Sequence, residues 1–367
     1  MSTTRPHHNV LPNLDALRFF AFLIVLLGHA YNLIAAHEPD DTIRDYYRLM
    51  LNGVLGVNFF FVLSGFLITR ILLHDVQAHG NIRVGRFYTR RALRIWPLYF
   101  FVLLLTWIYY QLTTTSDTNT HWIYFFLFIG NYHIIVEGLP RFSSLGFLWT
   151  LGVEEQFYFV WPWLVRFVRR HVKLLCVVLL VLSLAFRFAS VYILTDRNHI
   201  YFNTLSVMND LITGALLAVF TRDLAPNSIS ITAWWRIGLF VVLLSLAVVF
   251  QVLHLPKILV PFHRIALSLF FAFIVFHQVF AAGRVVNAQF VPGASYLGKI
   301  SYGLYMYHAF TTRGVQYLFS EIGVSTRGWN GILLYPVVTL GVTIAVAALS
   351  YELVEKNILR LKSVWAG

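Results

Sequence analysis

Residues 14–36 read LDALRFFAFLIVLLGHAYNLIAA, an apolar run long enough to cross a membrane as one helix. The run is too long for the apolar core of a signal peptide, lacks a small-residue cleavage site, and contains Arg18 and His29. It is therefore predicted to stay attached as the first membrane helix. Of the whole chain, 58% is hydrophobic and only 12% charged, against about a quarter charged in soluble domains. A soluble fold is excluded.

Nine further apolar runs, separated by short polar breaks, are each long enough to span hydrocarbon. They cover residues 52–73, 95–112, 148–166, 174–194, 203–220, 236–254, 262–281, 298–319 and 330–352. The sequence thus predicts an all-α polytopic bundle of about ten transmembrane helices. Residues 1–367 are expected to form one membrane domain without an appended soluble domain.

The distribution of Lys and Arg sets the orientation. With the N-terminus inside, most basic residues, including the clusters at 83–94 and 166–173, lie on the cytoplasmic side. Both termini are therefore predicted to be cytoplasmic. The apolar segment 121–137 is short and interrupted by polar residues, and a full crossing there would move the second cluster to the wrong side. That segment is predicted to be re-entrant or interfacial.

The formal charge of +12 is explained by this orientation and by contact with lipid headgroups, so no nucleic-acid partner is expected. The protein is predicted to be a multi-pass protein of the bacterial inner membrane. Cys176, the only cysteine, is interpreted as a packing residue, because one thiol can form neither an internal disulfide nor a cysteine-rich metal site. No metal site is expected.

Charges within apolar runs are costly, so each is a candidate functional group. Arg18 and His29 are eleven residues apart, which places them on one face of a helix and about 16 Å apart along it. Arg18 is expected near the cytoplasmic entrance and His29 roughly 10 Å below the outer surface. The alternative for His29 is a hydrogen-bonded packing residue, since neutral imidazole is tolerated in membranes.

Two adjacent carboxylates, Glu154 and Glu155, are predicted about 9–10 Å inside the outer end of their helix. Successive helical residues diverge by 100°, so one is expected to be chemical and the other structural. A buried carboxylate of this kind could hold a histidine tautomer or accept a proton. The alternative is a structural salt bridge.

Arg187 and Asp210 flank a short outer loop, and the simplest interpretation is an ion pair. By the helical rise, both also reach the depth of His29 and of the glutamates, which would fit a shared polar cavity.

Arg91 and Arg94 lie one helical turn from each other at the start of a predicted span, where guanidinium groups can grip phosphates. Topology signalling and headgroup contact are the alternative. Three further side chains, Ser64, Tyr305 and His308, are candidates for which packing is the competing interpretation.

Six stretches together resemble the acyltransferase-3 family of integral membrane O-acyltransferases. They are LDALRFFAFLIVLLGHA (14–30), GVNFFFVLSGFLIT (56–69), FYTRRALRIWPLY (87–99), LWTLGVEEQFYFVWP (148–162), SYGLYMYHAF (301–310) and LSYELVEKN (349–357). The most specific pieces are Arg18 with ten residues before His29, Arg91-x-x-Arg94, and the tryptophan-led segment that ends at Tyr158. Thr150 departs from the serine that is common in the family but keeps the hydroxyl.

The resemblance implies transfer of an acyl group, often acetyl, from cytoplasmic acyl-CoA to a hydroxyl of a carbohydrate or related glycoside. His29 matches the family's essential histidine, and Arg18, Arg91 and Arg94 match its donor-associated arginines. The expected partners are lipid, acyl-CoA as donor substrate and the glycoside acceptor, with no tightly bound cofactor.

On this hypothesis His29 is a general base or a transient acyl carrier, and Glu154, less securely Glu155, orients its imidazole. Supporting roles are assigned to Ser64, Tyr158, Arg187, Asp210, Tyr305 and His308. Two alternatives remain open: a transporter or flippase of a glycan or lipid-linked sugar, and a scaffold whose buried charges only specify helix pairing.

Overall fold

A computed structural model describes residues 12–35, 53–112, 120–140, 143–252, 256–282 and 290–360. Within these ranges the regular structure is helical, apart from an isolated bridge between Ile229 and Ala281. The two termini and the predicted span ends at 36, 52 and 253–254 lie outside the described residues. The all-α prediction is confirmed for the described chain.

Among the described residues, ten long helices overlap the ten predicted runs. They are α1 (Pro12–Ala35), α2 (Val54–His79), α3 (Val84–Leu112), α7 (Trp149–Phe167), α8 (Val172–Ala189), α10 (Thr204–Phe220), α11 (Ala233–Val252), α12 (His263–Phe280), α14 (Ser301–Glu321) and α15 (Tyr335–Ser350). Shorter helices lie between or after them: α4 (Trp122–Phe126), α5 (Gly130–Glu137), α6 (Ser143–Gly146), α9 (Arg197–Phe202), α13 (Ala294–Lys299) and α16 (Lys356–Arg360).

Seven stretches of the described chain are long and apolar enough to cross a membrane. They contain α1, α2, α3, α8, α10, α12 and α15 with their extensions. In α7 and α14, charged and polar side chains interrupt the apolar character that a span shows. These interruptions include the candidate site residues.

The segment 121–137 forms two short helices, α4 and α5, of 5 and 8 residues. The break between them places Phe128 at a φ of 58°, a left-handed conformation that is uncommon for a bulky residue. The Gln156 amide on α7 donates to the Phe128 carbonyl (2.8 Å) and to Asn131 Oδ1 (2.9 Å). Neither helix is long enough alone to cross hydrocarbon.

Helix α2 packs at the centre of the bundle, against α1, α10 and α12. A Cβ added at Gly65 would lie 1.8 Å from the Leu211 carbonyl oxygen of α10, and one at Gly214 would lie 1.9 Å from the Val62 carbonyl oxygen. These two glycines therefore let the backbones approach closely, as small residues do in membrane helices.

Candidate active site

A cavity of about 110 Å³ lies among α1, α2, α3, α7 and α14, the helices that carry the predicted motifs. Its wall includes Arg18, Arg91 and Arg94, so the structure brings the three predicted arginines together. Arg91 lies over the Tyr158 ring, with 5.4 Å between its guanidinium carbon and the ring centroid. Arg18 pairs with Asp15, one turn earlier on α1.

A larger cavity of about 470 Å³ adjoins the first, between α1, α3 and the C-terminal helices. Both cavities are lined by Arg18, Arg94 and Tyr302, which form a common partition. The Tyr302 hydroxyl donates to the Ile95 carbonyl of α3 at 2.7 Å, which fixes one side of this partition. The larger cavity, here called the inner cavity, thus shares a cationic wall with the smaller one, here called the upper cavity.

The two adjacent glutamates have different surroundings, as the helical divergence predicted. Glu154 lines the upper cavity, as do Ser64 and Tyr158. The hydroxyls of these two residues are themselves 2.5 Å apart. Glu155 instead accepts from the indole nitrogen of Trp96 on α3, at 2.9 Å. Glu154 is therefore the carboxylate that a bound substrate could reach.

The two histidines of the motifs lie side by side. The rings of His29 on α1 and His308 on α14 have centroids 4.9 Å apart and cross at 67°. His308 is completely buried, whereas His29 is half-buried. Neither histidine lines the two cavities. We refer to this pair as the imidazole layer.

A hydroxyl pair separates the imidazole layer from the upper cavity. Thr150 Oγ1 and the Tyr305 hydroxyl are 2.6 Å apart, and both residues line that cavity. Phe147 packs edge-on against both Tyr305 and His308, with centroid distances of 5.5 and 5.0 Å. Thr150, the residue that departs from the family pattern, thus uses its hydroxyl at the boundary of the cavity.

The expected contact between Glu154 and His29 is not formed: no hydrogen bond joins these two described side chains. The reason is helix direction, since α7 and α14 are antiparallel where Thr150 meets Tyr305. Glu154 lies four residues after Thr150 on α7, and His308 lies three residues after Tyr305 on α14. Because the two helices run in opposite directions, these offsets add, and the two side chains lie about 10 Å apart in depth. The sequence-based estimate counted depth from the helix ends, and it therefore placed Glu154 about two helical turns too close to the outer surface relative to the imidazole layer.

The predicted ion pair between Arg187 and Asp210 is wrong. Asp210, at 0% exposure, pairs with Arg264 of α12 at 2.7 Å and accepts from the Ser268 hydroxyl. Arg187 donates to the Pro261 carbonyl (2.8 Å) and to the Ser206 hydroxyl (2.8 Å). Neither Arg187 nor Asp210 lines the two cavities, so the single polar layer expected from the sequence is divided into separate sites.

Three functional candidates were missed by the sequence analysis. Arg264 was not singled out within the predicted span 262–281, but it is 4% exposed and is the partner of Asp210. Lys299 and Glu355 line the inner cavity beside Arg94. The quoted LSYELVEKN stretch contained Glu355, which is the last residue of a π-helical turn, Tyr351–Glu355.

Comparison with known families agrees with the placement of these motifs. A family described as an acyltransferase domain matches residues 11–351, nearly the whole chain. The chain belongs to this family. The resemblance to acyltransferase-3 proteins is thereby confirmed, and with it the predictions of an acyltransferase and of a multi-pass protein of the bacterial plasma membrane.

Curated relatives are similar to this acyltransferase over almost all of its length. The peptidoglycan O-acetyltransferase OatA of Listeria monocytogenes is 27% identical over 396 residues, covering 97% of this chain and 57% of the relative. The YrhL protein of Bacillus subtilis is 27% identical over 380 residues, 96% of this chain and 55% of its own. The chain spans about half the length of these relatives. No solved structure matches it.

Proposed function

We propose that this acyltransferase moves an acetyl group from cytoplasmic acetyl-CoA to a hydroxyl of a cell-surface carbohydrate of the peptidoglycan type. The acetyl group and the acceptor class are suggested by the name of the Listeria relative. The observation that carries the donor assignment is the common wall of the two cavities, because it presents Arg18 and Arg94 to both sides.

The inner cavity suits the phosphate-bearing part of the donor. Arg18, Arg94 and Lys299 line it, and guanidinium groups form strong, charge-assisted bonds to phosphate oxygens. The narrow upper cavity beyond the partition suits the slender arm that carries the thioester. From Arg18 the imidazole layer is about 16 Å further along α1, so the arm would extend past Glu154 toward the Thr150–Tyr305 pair.

At the imidazole layer, His29 acts as general base toward the acceptor hydroxyl. The acceptor oxygen attacks the thioester carbonyl, a carbon–oxygen bond forms and the carbon–sulfur bond breaks. The hydroxyl proton passes to His29 and from there to the departing CoA sulfur. Glu154, Ser64 and Tyr158 hold the donor arm on the cavity side, in place of the earlier assignment of Glu154 to His29.

The proposal includes ten membrane crossings, with both termini cytoplasmic and one membrane domain. Contacts between helix ends support alternating directions. The Tyr31 hydroxyl at the outer end of α1 donates to the Ile332 carbonyl just before α15 (3.1 Å). At the inner ends, Gln77 of α2 donates to Asp223 just after α10 (3.5 Å). In this arrangement His29 is open to an acceptor from outside and the arginines to a donor from inside.

The transporter alternative receives no support from the comparisons, whose named relatives are acetyltransferases. A scaffold is likewise disfavoured, because the family is one of acyltransferases.

The test supplies radiolabelled acetyl-CoA to inside-out vesicles that contain the full chain and peptidoglycan glycan strands. Alkali-labile acetyl ester on the strands is measured for wild type, His29→Gln and His171→Gln. His171 is exposed and lies outside the cavities and the imidazole layer, so it serves as the matched control. We expect His29→Gln to lose at least about 100-fold in rate and the control to retain its rate. Undiminished transfer by His29→Gln would remove this residue from the chemistry.

A further inference from the structure

His308 has one ring nitrogen committed and one free. Its Nδ1 hydrogen-bonds the Tyr305 carbonyl, one turn earlier on α14. A carbonyl oxygen only accepts, so Nδ1 must carry the proton, and in the neutral ring Nε2 must carry the lone pair. Among the described residues Nε2 has no hydrogen-bond partner, although His308 is completely buried. A buried acceptor without a partner is costly, which points to a missing donor.

His29 is the ring that can supply this donor. Two imidazoles joined by one N–H···N bond of about 2.9 Å have ring centres roughly 5 Å apart. The centroids of His29 and His308 are 4.9 Å apart, so a rotation of the His29 ring can form such a bond, although the structure records a ring contact and no hydrogen bond between them. Of the other ring neighbours of His308, Phe22 and Phe147 offer no hydrogen-bond donor, and the Tyr305 hydroxyl is engaged by Thr150 and the Phe147 carbonyl.

The backbone around His308 is held independently of its ring. The Thr312 and Thr311 hydroxyls donate to the His308 carbonyl, at 2.5 and 3.1 Å. Thr311 in turn contacts the Thr343 hydroxyl of α15 at 2.6 Å. The position of the ring is therefore fixed by the helix, and Nε2 is not needed to anchor it.

We propose that His308 is the positioning residue that sets the tautomer of His29. This inference rests on the proposed function, in which His29 is the base. In the reactive arrangement His29 turns its N–H to His308 Nε2, while His308 Nδ1–H keeps the bond to the Tyr305 carbonyl that the structure records. With one His29 nitrogen committed as a donor, the other carries the lone pair and can take the acceptor's proton. This is the orienting role that a carboxylate has in a catalytic triad.

The proton balance is simple. When the acceptor oxygen attacks the thioester, its proton moves to the free nitrogen of His29, which becomes an imidazolium with its second N–H still bonded to His308. The carbon–sulfur bond then breaks, and His29 returns the proton to the CoA sulfur. His308 stays neutral throughout, with its own proton on Nδ1.

Two substitutions at His308 separate this role from a packing role. Asparagine at position 308 has a side-chain N–H near the position of the histidine Nδ1, so it can still donate to the Tyr305 carbonyl. It has no atom at the position of the histidine Nε2. Glutamine reaches the Nε2 position with a carbonyl oxygen that can accept from His29, but loses the Nδ1 donor. We expect His308→Asn to lower kcat roughly 100-fold with the KM for acetyl-CoA within about twofold, and His308→Gln to remain within about tenfold of wild type. A packing role would instead lower thermal stability together with kcat, and most in the asparagine variant, because the smaller side chain leaves the larger cavity.

A second measurement needs no activity. Ring ¹⁵N shifts of selectively labelled His29, in full-length wild type in lipid nanodiscs at pH 8, report which nitrogen carries the proton. We expect one tautomer in wild type and a mixture in His308→Asn. A mixture of His29 tautomers in wild type overturns the inference, even if both variants fail to fold. Equal losses of kcat in the two variants, when both are folded, also overturn it. Inactive wild type with one tautomer would instead count against the proposed function.

Discussion

The cationic partition makes a quantitative prediction for donor binding. Arg94 lines both cavities, and in the proposed complex its guanidinium bonds a phosphate of the donor. A hydrogen bond to a charged group contributes about 1.5–3 kcal/mol, which corresponds to roughly 10- to 150-fold in affinity. Arg94→Gln should therefore raise the Kd for acetyl-CoA by that factor. Isothermal titration of the purified full chain in nanodiscs measures it directly.

Arg90→Gln is the matched control, since it makes the same change of charge one turn earlier on α3. Arg90 lines neither cavity and lies near Arg86 and Arg83. Its Kd should stay within about twofold of wild type, because exposed charges at this distance are screened by salt. If both substitutions weaken binding equally, the arginines act as a diffuse positive surface and the donor assignment to the cavities fails.

Two further predictions concern stability. Arg264→Met leaves the completely buried Asp210 without its cation and should destabilise the fold by about 3–5 kcal/mol, measured as lowered thermal stability in detergent; an unchanged melting temperature would contradict the buried pair. Gly298→Ala would place a Cβ 1.6 Å from the Asp15 carbonyl oxygen, so it should separate α13 from α1 and lower both thermal stability and acetyl transfer. Gly238→Ala is the control, because a Cβ there meets no atom within 4 Å, and it should be neutral in both assays.

The sequence predicted the helices because membrane spans depend on length and apolarity, which can be read locally. It also predicted Arg18, Arg91 and Arg94 at the same end of their helices, and the structure brings the three together at one cavity. The start of α3 at Val84 instead of 95 was missed because polar residues at a helix end lack the apolar signal.

Relations between helices were harder to predict. Depth counted from helix ends gave Glu154 and His29 one height, but the antiparallel meeting of Thr150 and Tyr305 moves the carboxylate inward. Similarly, equal depth suggested that Arg187 pairs with Asp210, whereas Arg264 takes that place. Sequence spacing determines which residues share a face of one helix, but it does not determine which neighbouring helix that face meets.

The Thr150–Tyr305 pair between the upper cavity and the imidazole layer bears on wasteful side reactions. In the proposed complex, a thioester that lies below these hydroxyls is out of reach of His29, so cytoplasmic water that follows it meets Glu154 but not the imidazole. Acetyl transfer should then occur only after an acceptor sugar has bound and the acetyl end of the donor has moved past the Thr150–Tyr305 pair. An idle enzyme would conserve acetyl-CoA, and the cell could keep many copies in its membrane without draining that pool.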